Sequence, residues 1–86
     1  AYTLALHPNP VSGDDAVLAF TTAKAEELTV TIYSLSGIRM GETLRLQAQA
    51  GQQRILLPTA SLRAGFYMVV VNGEDGRRAA CKLLVR

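Results

Sequence analysis

Cysteine and histidine each occur once among the 86 residues of this chain. The single thiol, Cys81, excludes an intramolecular disulfide and a multi-cysteine metal cluster, so the fold must rest on its hydrophobic core. His7 could serve as a catalytic base only with a partner such as Cys81 or Ser12. Neither of these nucleophiles stands in a nucleophile elbow or in a cysteine-enzyme signature. We therefore expect no catalytic residues and no enzymatic activity.

Long hydrophobic runs and a large excess of one charge are also missing. The longest apolar stretches fall far short of the roughly 20 residues that a membrane helix needs. The first residues lack the basic flank and the apolar length of a signal peptide. Nine basic against seven acidic residues give a formal net charge of +2, which is too small to indicate a nucleic-acid partner. The one adjacent basic pair, Arg77 and Arg78, is interpreted as the solvated start of a strand.

What the sequence does contain is typical of one small globular domain. Hydrophobic residues make up 49% and charged residues 19% of the chain, so disorder is not expected. The length suffices for a single core and leaves no room for a second domain. Residues 1–86 are therefore expected to form one domain.

Alternation of apolar and polar residues predicts about seven short strands and no stable helix. The strands are expected at residues 2–6, 16–22, 28–33, 44–49, 54–57, 62–72 and 78–85, with a brief extended segment at 38–40. Residues 7–13, 23–27, 34–37, 51–52 and 72–76 are expected to connect them as loops and turns. This pattern predicts an all-β fold, an immunoglobulin-like antiparallel β-sandwich.

The run at residues 62–72 is expected to be the central strand. Apolar residues occupy both of its alternating faces, which favours a strand covered on each side. Gly65, just ahead of the run, suits a turn or a close backbone approach. Tyr67 could form a tyrosine corner, in which the phenol hydroxyl bonds the backbone a few residues upstream.

The remaining polar residues have ordinary explanations beside functional ones. Asp14, Asp15, Glu74 and Asp75 could suggest calcium, but adjacent acids lack the alternating ligand spacing of calcium loops, so no metal or cofactor is expected. Cys81 is expected to be a buried, inert thiol. Lys82 interrupts an apolar strand, either to keep a sheet edge from pairing with other chains or to contact a partner.

The sequence contains four short blocks of motif residues: Pro8, Asn9, Pro10 and Gly13 in the first, Tyr33 and Gly37 in the second, Gly65 and Tyr67 in the third, and Lys82, Leu83, Leu84, Val85 and Arg86 in the last. In this order and spacing the blocks resemble the C-terminal sorting domain of type IX secretion cargo. The resemblance spans nearly the whole chain. It places the recognition information in the last block.

The resemblance implies a non-catalytic signal domain at the end of a larger exported protein of a Gram-negative bacterium. The cargo would cross the periplasm and pass the outer membrane through the type IX translocon. A sortase-like peptidase would then commonly remove the domain, and the cargo would reach the cell surface or the medium. The partners implied are the translocon, the peptidase and an upstream cargo domain.

An alternative from another class is an accessory binding module of fibronectin or carbohydrate-binding type. It would need exposed aromatic side chains on one sheet face. Pairing between sheet edges of two copies, in a homodimer, is a separate expectation for such a sandwich.

Overall fold

The computed structural model describes residues 3–7, 9–12 and 15–86, and within these ranges the chain forms seven β-strands. The strands are β1 (Thr3–His7), β2 (Ala16–Thr22), β3 (Glu26–Ser34), β4 (Leu44–Ala48), β5 (Gly51–Leu57), β6 (Gly65–Asn72) and β7 (Arg78–Val85). No helix long and apolar enough to cross a membrane occurs in the described part of the chain.

The strands form two antiparallel sheets that pack face to face. One sheet has the order β1-β2-β5 and the other the order β4-β3-β6-β7. Strands β3 and β4 are neighbours in one sheet, whereas β5 crosses to the other sheet and β6 returns. The predicted immunoglobulin-like antiparallel sandwich is confirmed.

Alternating residues of both sheets supply the core between them. In β2, for example, Leu18 and Phe20 point inward, and in β3 Leu28 and Val30 do the same. The residues of the core cluster are Val11, Ala16, Leu18, Phe20, Leu28, Val30, Ile32, Ala48, Leu57, Tyr67, Val69, Val71, Leu83 and Val85. Because each strand contributes every second residue, a period of two in the sequence locates most of this core.

The expectation that the central strand is covered on both faces is only partly confirmed. Strand β6 does lie inside its sheet, between β3 and β7. Its inward residues Tyr67, Val69 and Val71 are buried, but on the outer face only Val70 is buried, whereas Phe66 is 47% exposed and Met68 is half-buried. An antiparallel sheet needs only one covered face, so an apolar run is compatible with a partly solvated strand.

Several predicted boundaries also need correction. Residues 23–27 were expected to be a polar connection, but β3 already begins at Glu26. The turn expected at residues 51–52 is part of β5, and residues 62–64 precede β6 rather than belonging to it. The brief extended segment at residues 38–40 is confirmed, since it pairs with the end of β3 through an antiparallel bridge between Tyr33 and Arg39. His7 belongs to β1, not to the following loop.

Candidate recognition surface at the terminal strand

The terminal segment of residues 82–86 lies at one side of the four-stranded sheet, where β7 pairs only with β6 among the strands. Lys82 and Arg86 are exposed and Leu84 is half-buried. Leu83 and Val85 point into the core and are buried. In the folded domain a partner could therefore contact the side chains of Lys82, Leu84 and Arg86, while Leu83 and Val85 anchor the strand.

The side chain of Asn9 holds this strand from outside the sheet. Its Nδ2 donates to the Lys82 carbonyl oxygen at 2.9 Å, and its Oδ1 accepts from the Leu84 N–H at 3.1 Å. An amide side chain has the same donor and acceptor as a peptide group, so Asn9 takes the place of one residue of a neighbouring strand.

Val11 continues the same interaction with its backbone. Its N–H donates to the Leu84 carbonyl oxygen at 2.9 Å, and its carbonyl oxygen accepts from the Arg86 N–H at 2.9 Å, in a parallel bridge. The Val11 side chain is fully buried. Residues 9–11, which we name the clamp, thus cover the edge of residues 82–86. Pro10 within it is exposed, and the predicted motif residues Pro8 and Gly13 lie outside the described residues.

Tyr67 fastens the start of β6. It is buried, and its hydroxyl donates to the Arg63 carbonyl oxygen at 2.6 Å. The predicted tyrosine corner is confirmed. Gly65 opens the strand with a φ of 151°, a backbone conformation that favours glycine, and it pairs with Val85.

The second motif block forms the tight turn after β3. The Gly37 N–H donates to the Ser34 carbonyl oxygen at 3.0 Å, and Gly37 has a φ of 88° that a side chain would strain. Tyr33, at the end of β3, is half-buried. This block forms the turn at the C-terminal end of β3, whereas Glu26 lies at its N-terminal end.

A buried ion pair was missed in the sequence. The Glu26 side chain is fully buried, and Arg77 Nη2 lies 2.8 Å from its Oε2. The Glu74 N–H donates to Glu26 Oε1 at 3.3 Å. Arg77 is therefore not simply a solvated strand start, since it joins the β6–β7 connection to β3. The signal was present, because Glu26 continues the inward period of Leu28 and Val30.

Asp75 completes this arrangement at the surface. The hydrogen bonds that its carboxylate accepts from the Arg77 side chain and backbone, with further attraction from Lys24, hold the Asp75 pKa below its usual value. Arg77 Nε lies 2.8 Å from Asp75 Oδ2. The Asp75 carboxylate and the Glu74 backbone N–H thus have a structural role that the sequence pattern did not predict.

On the outer face of the four-stranded sheet, Lys82 Nζ lies 5.2 Å from the centre of the Phe66 ring. This is a cation–π geometry, in which the ring face attracts the ammonium group. Phe66 is the one exposed large aromatic among the described residues, since Phe20 and Tyr67 are in the core. The binding-module alternative gains no support from a single exposed ring.

Of the residues considered for catalysis or metal binding, the structure describes the surroundings of His7, Cys81 and Asp15. His7 is exposed on β1, and Cys81 is half-buried on β7, where burial raises the pKa of its thiol. Asp15 Oδ1 accepts the N–H of Ala60 at 3.0 Å. Within residues 3–7, 9–12 and 15–86, no group of three His, Cys, Asp or Glu could hold a metal ion.

Two shallow depressions lie away from the terminal strand, on the outer face of the three-stranded sheet. Their volumes are about 200 and 230 Å³, and Ala5, Ala19 and Arg54 line both. Thr21, Gln52 and Gln53 complete the polar part of the first lining, and His7 that of the second.

Comparison with known proteins gives one family. The family model of the secretion system C-terminal sorting domain matches residues 5–86, nearly the whole chain. No curated protein matches the chain significantly. The match includes the clamp, the tyrosine corner and the terminal strand. The chain belongs to the family of secretion system C-terminal sorting domains.

Proposed function

We propose that this domain is a non-catalytic C-terminal signal that directs an attached cargo protein through the type IX outer-membrane translocon. The observation that carries the proposal is the family match over residues 5–86. After transport, a sortase-like peptidase removes the domain from the cargo. The cargo precedes the domain in one precursor, passes the periplasm, and ends at the cell surface or in the medium.

Within the domain, the terminal strand is the part that the translocon contacts. The exposed side chains of Lys82 and Arg86 and the half-buried Leu84 are its available contacts. Leu83 and Val85 contribute by keeping the strand in the sheet. The clamp and the Tyr67 hydroxyl hold the strands that present these side chains. The other motif residues, Pro8, Pro10, Gly13, Tyr33, Gly37 and Gly65, have a structural role.

The test is export of a reporter fused ahead of residues 1–86, with its own inner-membrane signal, in a host that has this secretion system. The reporter should reach the medium or the cell surface. Deletion of residues 82–86 should retain it in the periplasm. Because that deletion also removes core residues, the variant Lys82→Ala/Leu84→Ala/Arg86→Ala tests the exposed side chains while leaving Leu83 and Val85 in place.

A matched control changes three exposed residues elsewhere on the two sheets, Arg45→Ala/Arg54→Ala/Leu56→Ala. Its export should equal that of the unaltered domain. Unchanged export after deletion of residues 82–86 would contradict the proposed function.

A further inference from the structure

Only the second half of the β7 edge is covered by the clamp. The N–H and carbonyl groups of Leu84, the carbonyl of Lys82 and the N–H of Arg86 point away from β6, because all of them bond residues 9–11. Backbone direction alternates along a strand, so the same groups of Arg78 and Ala80, and the N–H of Lys82, also point outward. No hydrogen bond to another described residue uses them. We name residues 78–82 the open edge.

The side chains beside the open edge carry charge of one sign. Arg78 and Lys82 are exposed on the outer face of the sheet, with Ala80 between them. Strand β7 contains no acidic residue, and Arg86 adds a further exposed cation at its end. An opposing strand that carries carboxylates opposite Arg78 and Lys82 would be favoured over one that is neutral or basic.

A second copy of the chain is a poor occupant for the same reason. Antiparallel pairing of two open edges around Ala80 would place Arg78 of each copy opposite Lys82 of the other. Like charges directly opposite each other destabilise a strand pair. The cations therefore disfavour self-pairing while leaving the edge usable by an acidic strand, which unites the two explanations offered for Lys82.

We propose that the open edge binds an extended acidic segment of a partner protein as an added strand of the four-stranded sheet. The clamp already shows that this edge accepts an added backbone, since residues 9–11 pair with its continuation. The segment carries two acidic residues four positions apart, matching the spacing of Arg78 and Lys82. The inference rests on the proposed function in that the partner belongs to the export route.

The probe is the acetylated and amidated peptide Thr-Glu-Val-Thr-Val-Glu-Thr, added to the isotope-labelled domain and followed by amide chemical shifts. We expect the largest changes at Arg78, Ala80 and Lys82, with binding that weakens as salt is raised. A peptide with Lys in place of both Glu residues should bind at least tenfold more weakly. Equal binding of the two peptides, or shifts confined to other strands, would overturn the inference.

Two variants address the edge itself. Ala80→Pro removes an outward N–H without removing a bond to β6, and it should weaken binding of the acidic peptide at least tenfold. If this variant does not fold, Arg78→Glu/Lys82→Glu tests the open edge instead. The doubly substituted domain should bind the Lys peptide more tightly than the Glu peptide. Arg54→Glu on the other sheet is the charge-matched control and should leave both affinities within twofold.

Export of the reporter separates failure of this inference from failure of the proposed function. If the unaltered domain is exported and Arg78→Glu, which leaves the proposed translocon contacts in place, is exported equally well, the open edge is not the partner site, while the sorting function stands. If the unaltered domain fails to export the reporter, the proposed function fails, and the peptide result alone decides whether the edge binds acidic strands.

Discussion

The side chain of Asn9 bonds two residues that are distant in the sequence. Lys82 follows it by 73 positions and Leu84 by 75 positions. Both of its amide atoms are used, so neither a shorter nor a purely apolar side chain could replace it. Nothing in the local pattern of residues 8–13 reveals these partners. The sequence predicted turn chemistry at Asn9, and the contact with β7 became visible only in the folded chain.

Replacing Asn9 by alanine should lower the free energy of unfolding by about 1–2 kcal/mol, because two largely solvent-exposed hydrogen bonds are lost. Asn9→Asp should also destabilise, since it keeps the acceptor for the Leu84 N–H but places an oxygen against the Lys82 carbonyl. Chemical denaturation measures both changes. Gln47→Ala, an exposed amide on β4, is the control, and an effect of Asn9→Ala no larger than its effect would contradict the role of the clamp.

At the scale of elements, the connection between β6 and β7 is held by charge as well as by its turn. Arg77 bonds the buried Glu26 of β3 and the exposed Asp75 of the connection itself. Helix or strand propensity does not predict such a contact, because a buried charge is determined by its partner rather than by its own preference. Periodicity does place Glu26 on the inward face, but a rule that admits only apolar residues to the core misses it.

Arg77→Ala should lower the free energy of unfolding by about 2–4 kcal/mol, because it deprives the buried Glu26 carboxylate of its arginine. The neighbouring Arg78→Ala should change it by no more than about 0.5 kcal/mol, since Arg78 is exposed. Denaturant unfolding of the two variants measures this difference. Equal effects would show that the Glu26–Arg77 pair does not stabilise the fold.

Titration of Asp75 provides an independent test of the contact between Arg77 and the Asp75 carboxylate. The Asp75 pKa lies below the ordinary value of 3.8, chiefly through its hydrogen bonds from Arg77. A carboxyl group with a lowered pKa stabilises the fold above pH 3.8, and this contribution is lost as the pH falls through the lowered pKa. The side-chain carboxyl carbon of Asp75, followed by NMR, should titrate at higher pH in Arg77→Ala and at an unchanged pH in Arg78→Ala.

At the scale of the whole molecule, the two-layer architecture follows from period-two alternation and turn residues, and both are local properties of the sequence. The strands β2 and β7 were predicted with their observed bounds. The exposure of Phe66 and the half-burial of Met68 on the outer face were not predicted, because hydrophobicity alone assigns both residues to the core. Which face an antiparallel sheet covers depends on how the sheets stack, and that is a property of the complete fold.

Leu83 and Leu56 provide a test of this stacking, because one leucine faces the core between the sheets and the other faces solvent. Leu83 is fully buried and Leu56 is 63% exposed. Leu83→Ala should cost about 2–5 kcal/mol of unfolding free energy through lost contacts and a cavity, and Leu56→Ala about 0.5 kcal/mol or less. Thermal and denaturant unfolding would measure both. A small cost for Leu83→Ala would remove this residue from the core and return it to the candidate contacts of the terminal strand.

The clamp also has a mechanical consequence. Residues 9–11 run parallel to the end of β7, so tension between the chain before β1 and the C-terminus slides these two segments along each other. The four hydrogen bonds that Asn9 and Val11 make with residues 82–86 are then strained together, in shear, rather than opened one after another. A cargo that pulls on the start of the domain would therefore load in shear the strand that is proposed to contact the translocon.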